Sequence, residues 1–521
     1  MSELRELGEL REEALSFALS ERRAQFRDAA GLPEESRLLQ RLREHPLAAS
    51  RDGLAQACEL LGEALASDPP KPGRVSRLSG LRELLVRARA QSLEPGAWQE
   101  LLDAQLRPSV EMHGDAGLHG VQPIRAVERE LGRSRSRGER ADLEAALAAA
   151  VRESDGARTG AWEAGASALS ELELGEPIDA AAALHARGWA SHEGTSAGAA
   201  EIESACERLL VRTEAIAGDL GAWLLERHTG ARPFPGDAER HDVMHLIRAP
   251  RCSPAFPRGE MLRTCRRWAE AWPLDLDAKR AIRLDEEPRP LAREGACAVP
   301  IDPPDSVRVQ LFPEEGPWAL TQLLSALGAA QLFAGPPGNA PPEDLLCHDP
   351  ALPIASGAIF AGLALDDGFR RRCAKVELSV DDARALAVAH LFEARIAAAQ
   401  TLASLEALRS GLGARTASLH RELFARASLT ALPSGLALRD LDLFLSPWAE
   451  LRGLALAART RSHLRERFDE DWWRNPCALQ PLRSLWMRGG RSTVPELWNE
   501  LAPGEATSID ALVSELSLAC T

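Results

Sequence analysis

Two histidines one helical turn apart, His241 and His245, have a spacing that could hold a metal ion. In a helix, residues i and i+4 lie on the same face, so both imidazoles can reach one zinc ion. Asp242, beside the first histidine, has a carboxylate that could take a proton from a metal-bound water. It is about one methylene shorter than the glutamate of an H-E-x-x-H motif and would lie too far from that water. Two interpretations remain open, a zinc site or ordinary hydrogen-bonding histidines.

No other catalytic signature occurs in the sequence context that its chemistry requires. The loop at 335–338 (GPPG) is not followed by the Lys-Ser/Thr of a phosphate-binding loop, and the GLG at 411–413 follows a predicted helix instead of a strand. The Gly-x-Ser-x-Gly sequence at 194–198 (GTSAG) follows His192-Glu193 in a predicted helix-connecting loop, whereas the elbow of a serine hydrolase follows a strand. The sequence therefore favours neither nucleotide chemistry nor serine-based hydrolysis.

Net charge and cysteine usage limit the classes of binding partner and the cellular compartment that we expect for this protein. The formal net charge is −15, whereas nucleic-acid binding relies on a surplus of Lys and Arg. The nine cysteines are scattered singly, as buried thiols are in a reducing compartment. The charged N-terminus has no apolar signal-peptide core, and the weakly polar run 351–365 is shorter than the roughly 20 residues that cross a bilayer. We expect a cytoplasmic protein with no nucleic-acid or membrane partner.

The elements that would position these side chains are predicted to be mostly helices. Ala, Leu, Arg and Glu dominate, whereas β-branched and aromatic residues are sparse. Helices are predicted from Trp318 to Phe333 and from a Ser379 cap to about Leu408, and strands only within 280–312. The predicted parts are an N-terminal segment of two or three helices (1–67), a proline-rich linker (68–77), a helical lobe (78–250) and a second lobe with a small sheet (251–521).

Several segments in order along the chain resemble the thimet oligopeptidase and oligoendopeptidase F family of helical zinc metallopeptidases. The likeness is continuous from about residue 200 to the C-terminus and fainter from about residue 80. It is carried by residues 246–251, 254–257, 274–277, 282–290, 295–300, 307–311, 349–353, 354–365, 463–468 and 471–476. The resemblance implies a mainly α, large bilobed, gluzincin-like fold with a small β-sheet at the edge of the cleft.

The chain departs from this family at every position that the resemblance assigns to chemistry. The His, Glu and His of the family's H-E-x-x-H correspond to Ser325, Ala326 and Ala329. The family's third ligand, a glutamate, is expected within 354–361, which contains no acid and no histidine. Its oxyanion-stabilising tyrosine is expected within 442–454, but the chain has no tyrosine. A hydroxyl and two methyl groups can neither bind zinc nor act as a general base.

Three functions follow as hypotheses. The first is a catalytically inactive peptidase homologue without a cofactor, which binds a peptide or a partner protein through the retained cleft. Under this hypothesis, a possible peptide-binding strand is Val307, Arg308, Val309, Gln310 and Leu311, because the sheet of active relatives can pair with an extended peptide. The second is an active metallohydrolase with zinc at His241 and His245. The third is a structural subunit with a filled cleft. A homo-oligomer is compatible with each.

Overall fold

The computed structural model describes residues 7–32, 37–67, 71–112, 120–185, 198–233, 237–276, 281–312 and 314–520. Within these ranges the chain is mainly helical, with one hairpin and one three-stranded sheet. The mainly α architecture predicted from composition is confirmed.

The N-terminal part consists of three helices, in agreement with the sequence prediction. Ser50 caps the third helix, because its side chain accepts a hydrogen bond from the backbone N–H of Gly53. The predicted linker extends too far at its C-terminal end, because a further helix already begins at Pro72; proline is favoured in the first helical turn, where its missing N–H costs nothing. The first helices are α1 (Gly8–Ala29), α2 (Leu38–Glu44), α3 (Arg51–Ala66), α4 (Pro72–Leu93) and α5 (Pro95–Ala104).

An antiparallel hairpin follows, formed by β1 (Pro108–Met112) and β2 (Gly120–Pro123). Val110 and Met112 alternate inward on β1. The prediction that strands occur only within 280–312 is therefore wrong, since five residues with two apolar side chains give too short a pattern to recognise.

The first lobe continues as a series of packed helices. Helix α8 (Asp155–Ser170) packs on α4 and α5, and α13 (Arg240–Ile247) packs on α6 (Ile124–Arg133) and α7 (Arg137–Glu153). These helices are α6 (Ile124–Arg133), α7 (Arg137–Glu153), α8 (Asp155–Ser170), α9 (Pro177–His185), α10 (Ala199–Arg212), α11 (Glu214–Ile216), α12 (Ala222–Thr229) and α13 (Arg240–Ile247).

The predicted small sheet is present between α14 (Arg258–Ala271) and α15 (Pro317–Ala334). Its strands are β3 (Ile282–Asp285), β4 (Ala296–Asp302) and β5 (Ser306–Leu311), in the order β3-β5-β4. Strand β5 runs parallel to β3 and antiparallel to β4. Helix α15 covers one face of this sheet.

The rest of the second lobe is helical. Ser379 caps α19 by accepting a hydrogen bond from the backbone N–H of Asp382, as predicted, and this helix ends at Ser410 before Gly411. These helices are α16 (Pro342–Leu346), α17 (Ala351–Ala361), α18 (Asp367–Phe369), α19 (Val380–Ser410), α20 (Ala414–Ser428), α21 (Ser446–Phe468), α22 (Leu479–Arg488), α23 (Val494–Leu501) and α24 (Asp510–Cys520).

Tryptophans close the core of the second lobe. Trp472 and Trp473 are fully buried. Trp268 stacks on Trp272 at 5.3 Å and donates a hydrogen bond to the carbonyl oxygen of Trp473. Both stacked indoles contribute a large apolar surface, and the N–H of Trp268 is satisfied by this hydrogen bond.

Among the described residues, no single helix combines the length and apolarity needed to span a bilayer. A bent pair, Ala351–Ala364 with Asp367–Ala374 at 64°, meets the length and composition criteria jointly. Its first helix, α17, packs between α15 and α21 inside the lobe.

Candidate functional site

Helix α15 presents one face to the space between the lobes. Trp318, Gln322, Ser325, Ala329 and Phe333 follow each other at intervals of three or four residues and so share that face. Trp318 and Gln322 line one cavity, and Phe333 lines another. The two positions that the resemblance assigns to histidine ligands therefore lie between two cavities.

Ser325 faces helix α17 at a contact too close for larger side chains. A Cβ added to Gly357 of α17 would lie 2.6 Å from Ser325 Oγ, and one added to Gly328 would lie 2.3 Å from the carbonyl oxygen of Ser356. Ser356 Oγ donates a hydrogen bond to the Gly328 carbonyl at 2.6 Å and accepts one from Trp486 Nε1. An imidazole in the orientation of Ser325 would overlap with the α17 backbone.

Ala326, at the position of the general base, packs beneath the sheet. It is 4% exposed and belongs to an apolar cluster with Val307, Val309, Ala330 and Phe333. Neither α15 nor α17 contains a His, Cys, Asp or Glu side chain. The zinc ion implied by the resemblance therefore does not fit these residues, since its usual ligands are imidazole, thiolate and carboxylate groups.

The strand proposed for peptide binding, Val307 to Leu311, is the middle strand of the sheet. Both of its edges are hydrogen-bonded, one to β3 and one to β4. Strand addition needs free N–H and C=O groups along an edge. The prediction that this strand receives a peptide is therefore wrong; the pattern of alternating residues identified a strand but could not give its place in the sheet.

His241 lies with acidic residues and not with His245. Across the part of the chain that the structure describes, one group of three metal-ligand side chains lies within 4.8 Å, and it consists of Glu144, Glu239 and His241. Glu144 Oε2 lies 3.0 Å from His241 Nδ1 and 3.1 Å from the backbone N of the same residue, and Arg240 donates to Glu144 Oε1 at 3.1 Å. Helix α7 thus holds the start of α13 through Glu144.

His245 is directed elsewhere. Its side chain is hydrogen-bonded to the backbone of Gly132, and burial, with the charge of Arg140, lowers its pKa to about 4. Asp242, the base considered in the sequence, is 0% exposed and bound by Arg137 and Arg140, at 3.1 Å each. The structure does not bring His241, His245 and a free carboxylate to one metal ion.

Two adjoining cavities of about 710 Å³ each lie between the lobes. Gln105 and Arg439 line both, so the cavities are neighbours, and we call the two together the trough. We name the first the aromatic chamber, because its walls include Phe17, Trp98, Trp162, Phe333 and Phe444. The cleft implied by the resemblance is therefore open on both sides of Ser325 and Ala329.

We name the second cavity the charged chamber. It is lined by Asp28, Glu128, Glu294, Glu393, Glu450, Arg125, Arg129, Arg240, Arg248, Arg293 and Arg439, together with amides and apolar groups. Most of its acids are neutralised by arginines, in the pairs Asp28–Arg125, Glu128–Arg439 and Glu294–Arg248. Among the described residues, the exceptions are Glu393, whose one ion-pair partner is His390 at 3.3 Å, and Glu450.

Glu450 is the functional-site candidate that the sequence analysis missed. Its side chain is exposed at the wall of the charged chamber. Desolvation by the surrounding protein, and secondarily the neighbouring carboxyl of Glu393, raises the pKa of Glu450 to about 7. Glu450 lies within 442–454, where the resemblance implied a tyrosine. The one signal in the sequence that could have identified it is an acidic residue among apolar ones. The structure supplies a carboxyl group there and no phenol.

A second carboxyl pair lies at the rim of the charged chamber. Burial, and a hydrogen bond with Glu294, raises the pKa of Glu314 to about 8. Arg248 holds the pKa of Glu294 below its usual value. Glu314 also accepts a hydrogen bond from Arg133 at 2.6 Å. Arg133 of α6 and Arg248, which follows α13, thus bind carboxyls in the segments that flank the sheet.

The sequence matches no family model and no curated protein. The structure, however, is similar to those of several solved peptidases. The M32 carboxypeptidase of Deinococcus radiodurans R1 is 14% identical with a TM-score of 0.57, covering 99% of this chain and 98% of that one. Trypanosoma cruzi metallocarboxypeptidase 1 is 10% identical with a TM-score of 0.58, covering 98% and 99%.

The family inferred from the sequence is also represented. A putative oligoendopeptidase F from Bacillus anthracis str. Ames is 10% identical with a TM-score of 0.55, covering 90% of this chain and 83% of that one. The carboxypeptidases match over nearly their whole length, so the extent of this chain agrees better with theirs. At these identities the comparison concerns the fold alone. The chain has the fold of the helical metallopeptidases, with a small sheet beside the cleft.

Proposed function

We propose that this chain binds a peptide in its trough and cleaves no bond. The observation that carries the proposal is a difference along one face of α15: its middle is packed, whereas both ends border open cavities. Ser325, Ala326 and Ala329 are engaged in packing or lack ligand atoms, whereas the chambers on either side of them remain open. Binding without catalysis accounts for a cleft that persists without metal ligands.

The trough has the size and the lining of a ligand site. Its chambers fall within the range of roughly 300–1,000 Å³ that is usual for small-ligand pockets. Aromatic walls can receive apolar side chains, and charged groups can orient polar ends. This open volume favours peptide binding over the alternative of a structural subunit with a filled cleft.

The second candidate, a metallohydrolase, would use the cluster of Glu144, Glu239 and His241, whose ligand atoms lie within 4.8 Å of one another. Against it, the carboxylate of Glu144 already binds Arg240 and the backbone of His241. Elemental analysis distinguishes the candidates, using untagged protein dialysed against micromolar zinc. We expect well under one zinc per chain. Stoichiometric zinc that is lost in both His241→Ala and Glu144→Gln would contradict the proposal and establish the metallohydrolase.

Peptide binding is tested by incubating the chain with a mixture of short synthetic peptides and analysing bound and free peptides by mass spectrometry. We expect enrichment of intact peptides and no products. A Gln105→Trp variant should weaken binding, because Gln105 lies where the two chambers meet. Gln40→Trp, on the exposed face of α2, is the matched control. Products that increase with protein concentration, or an unchanged affinity in Gln105→Trp, would contradict the proposal.

A further inference from the structure

A third cavity lies outside the trough, at one end of the three-stranded sheet. It has a volume of about 450 Å³ and is bounded by α14, by α15 and by the paired ends of β4 and β5, at Ala296 and Leu311. It shares no lining residue with either chamber of the trough. We name it the side cavity. Its volume falls within the range of roughly 300–1,000 Å³ that is usual for small-ligand pockets.

The walls of the side cavity are mostly apolar. Their apolar side chains are those of Met261, Leu262, Leu311, Phe312, Ala319 and Leu323. Leu262, Leu311 and Phe312 are only half-buried, so they present apolar surface to the cavity. A ligand that covered this surface would remove it from water, which is favourable.

Phe312 is held from outside the side cavity. The guanidinium groups of Arg129 and Arg133 lie over its ring, at 4.9 and 5.3 Å from the ring centre, and neither arginine lines this cavity. Cations over an aromatic face are attracted to the ring and restrain its position. The apolar wall is therefore formed before a ligand binds.

The charges of the side cavity are paired with one exception. The charged residues that line it are Arg258, Arg263, Arg266, Glu286 and Glu314. Four of these have a partner of opposite charge, in the pairs Arg263–Glu260, Arg266–Glu286 and Arg133–Glu314. The guanidinium of Arg258 forms no ion pair or hydrogen bond within the described ranges, and this side chain is exposed. The unpaired charge is therefore positive and lies on the solvent side of the cavity.

We propose that the side cavity binds an unbranched fatty carboxylate, with the alkyl chain against the apolar walls and the carboxylate at Arg258. A cation at the opening favours an anionic head group over a neutral or cationic one, and an exposed head group keeps most of its hydration. The apolar walls offer no hydrogen bond to an amide group, so an alkyl chain fits them better than a peptide does. This inference is independent of the peptide proposed for the trough.

The first test compares ligands on the unmodified protein by isothermal titration calorimetry near neutral pH. Hexanoate, heptanoate, octanoate and decanoate are used below the concentrations at which they form micelles. Each buried methylene group should raise the affinity about fourfold until the cavity is filled. Octanol should bind about twofold to fivefold more weakly than octanoate, because an exposed guanidinium contributes modestly, and octylammonium should bind more weakly still. A folding defect cannot affect this comparison.

Variants then locate the alkyl chain. Leu262→Trp narrows the side cavity and should lower the affinity for octanoate by roughly tenfold or more, which corresponds to the loss of about two methylene contacts. Gln40→Trp, on the exposed face of α2, is the matched control and should bind octanoate like the unmodified protein.

A second pair of variants locates the carboxylate. Arg258→Gln should abolish the preference for octanoate over octanol while the affinity for octanol stays the same. Arg283→Gln, which changes an exposed arginine of β3 outside the cavity lining, is the matched control and should keep the preference.

Four results would overturn the inference. Absence of binding for every carboxylate, or affinities that do not rise with chain length, would exclude an alkyl site. Equal affinities for octanoate, octanol and octylammonium would remove the role of Arg258. Tighter binding of N-acetylphenylalanine than of octanoate would indicate a peptide terminus as the occupant. Octanoate binding that is lost in Gln105→Trp but retained in Leu262→Trp would place the ligand in the trough.

Discussion

Ser356 Oγ donates a 2.6 Å hydrogen bond to the carbonyl oxygen of Gly328, and the missing side chain of Gly328 is what allows this approach. The contact joins α15 and α17, the helices that the resemblance assigns to the metal ligands. Closing the space between these helices with backbone and hydroxyl groups leaves no room for an imidazole beside Gly357.

Gly328→Ala should destabilise the protein by about 1 to 3 kcal/mol, because the new methyl group would lie 2.3 Å from the Ser356 carbonyl oxygen. Chemical denaturation followed by circular dichroism measures the change. Gly338→Ala is the control, since nothing lies within 4 Å of its added Cβ, and it should change stability by less than about 0.5 kcal/mol. Equal effects of the two substitutions would show that this contact is not tight.

Restoring the metal motif should fail to restore a metal site. In the triple variant Ser325→His, Ala326→Glu and Ala329→His, the first imidazole collides with α17, the glutamate enters the apolar cluster below the sheet, and α17 supplies no third ligand. We expect a lowered unfolding midpoint and far less than one bound zinc per chain by elemental analysis. One zinc per chain with an unchanged midpoint would refute this account of the packing.

Glu450 should make stability depend on pH with a definite sign. Because the folded-state pKa of Glu450 is raised to about 7, the unfolded state loses its proton first as pH rises. The contribution of Glu450 to the free energy of unfolding is therefore greatest below the ordinary glutamate pKa of about 4.3, and it is lost as pH rises through 7.

The measurement is the free energy of unfolding from about pH 4 to pH 8 for the unmodified protein and for Glu450→Gln. The difference between the two curves should show the loss, since Glu314 contributes equally to both. Glu466→Gln, an exposed acid on the same helix, should reproduce the unmodified curve. A flat difference for Glu450→Gln would exclude a raised pKa.

Asp349→Ala should be strongly destabilising. Asp349 Oδ2 accepts a 2.6 Å hydrogen bond from Arg452 on α21, with side-chain exposures of 1% and 0%. Removing one member of a buried ion pair leaves the other charge buried and costs about 3 to 5 kcal/mol. Breaking the exposed pair Arg227–Asp381 with Asp381→Ala should cost less than about 1 kcal/mol. Thermal and chemical denaturation compare the two variants. Similar losses in the free energy of unfolding would mean that water reaches Asp349.

Local signals in the sequence predicted much of the fold. The cap at Ser379 marked the start of α19, and apolar residues at helical spacing marked α15. The order β3-β5-β4 could not be predicted, because alternation along Val307 to Leu311 identifies a strand without identifying its neighbours. Likewise, the i, i+4 spacing of His241 and His245 could not show that Glu144 and Gly132 bind them separately.

The trough could not be predicted from the sequence, for a related reason. Its charged groups come from helices far apart in the chain, as Arg22 on α1 and Glu450 on α21 illustrate. Each acid or arginine looks like an ordinary surface residue in the sequence. Only the pairing of its neighbours, such as Glu128 with Arg439, shows which charges remain available. The residue types at the positions that the resemblance assigns to metal ligands, in contrast, can be read directly from the sequence.

The tryptophans also determine how the protein absorbs and emits light. The chain has 12 tryptophans and no tyrosine, so its near-ultraviolet fluorescence comes essentially from indole. Trp98 and Trp162 line the aromatic chamber and Trp318 lines the charged chamber. The stacked Trp268 and Trp272 lie in the core instead. A ligand entering either chamber would therefore change the emission of unlabelled protein, whereas the core indoles would report only on unfolding.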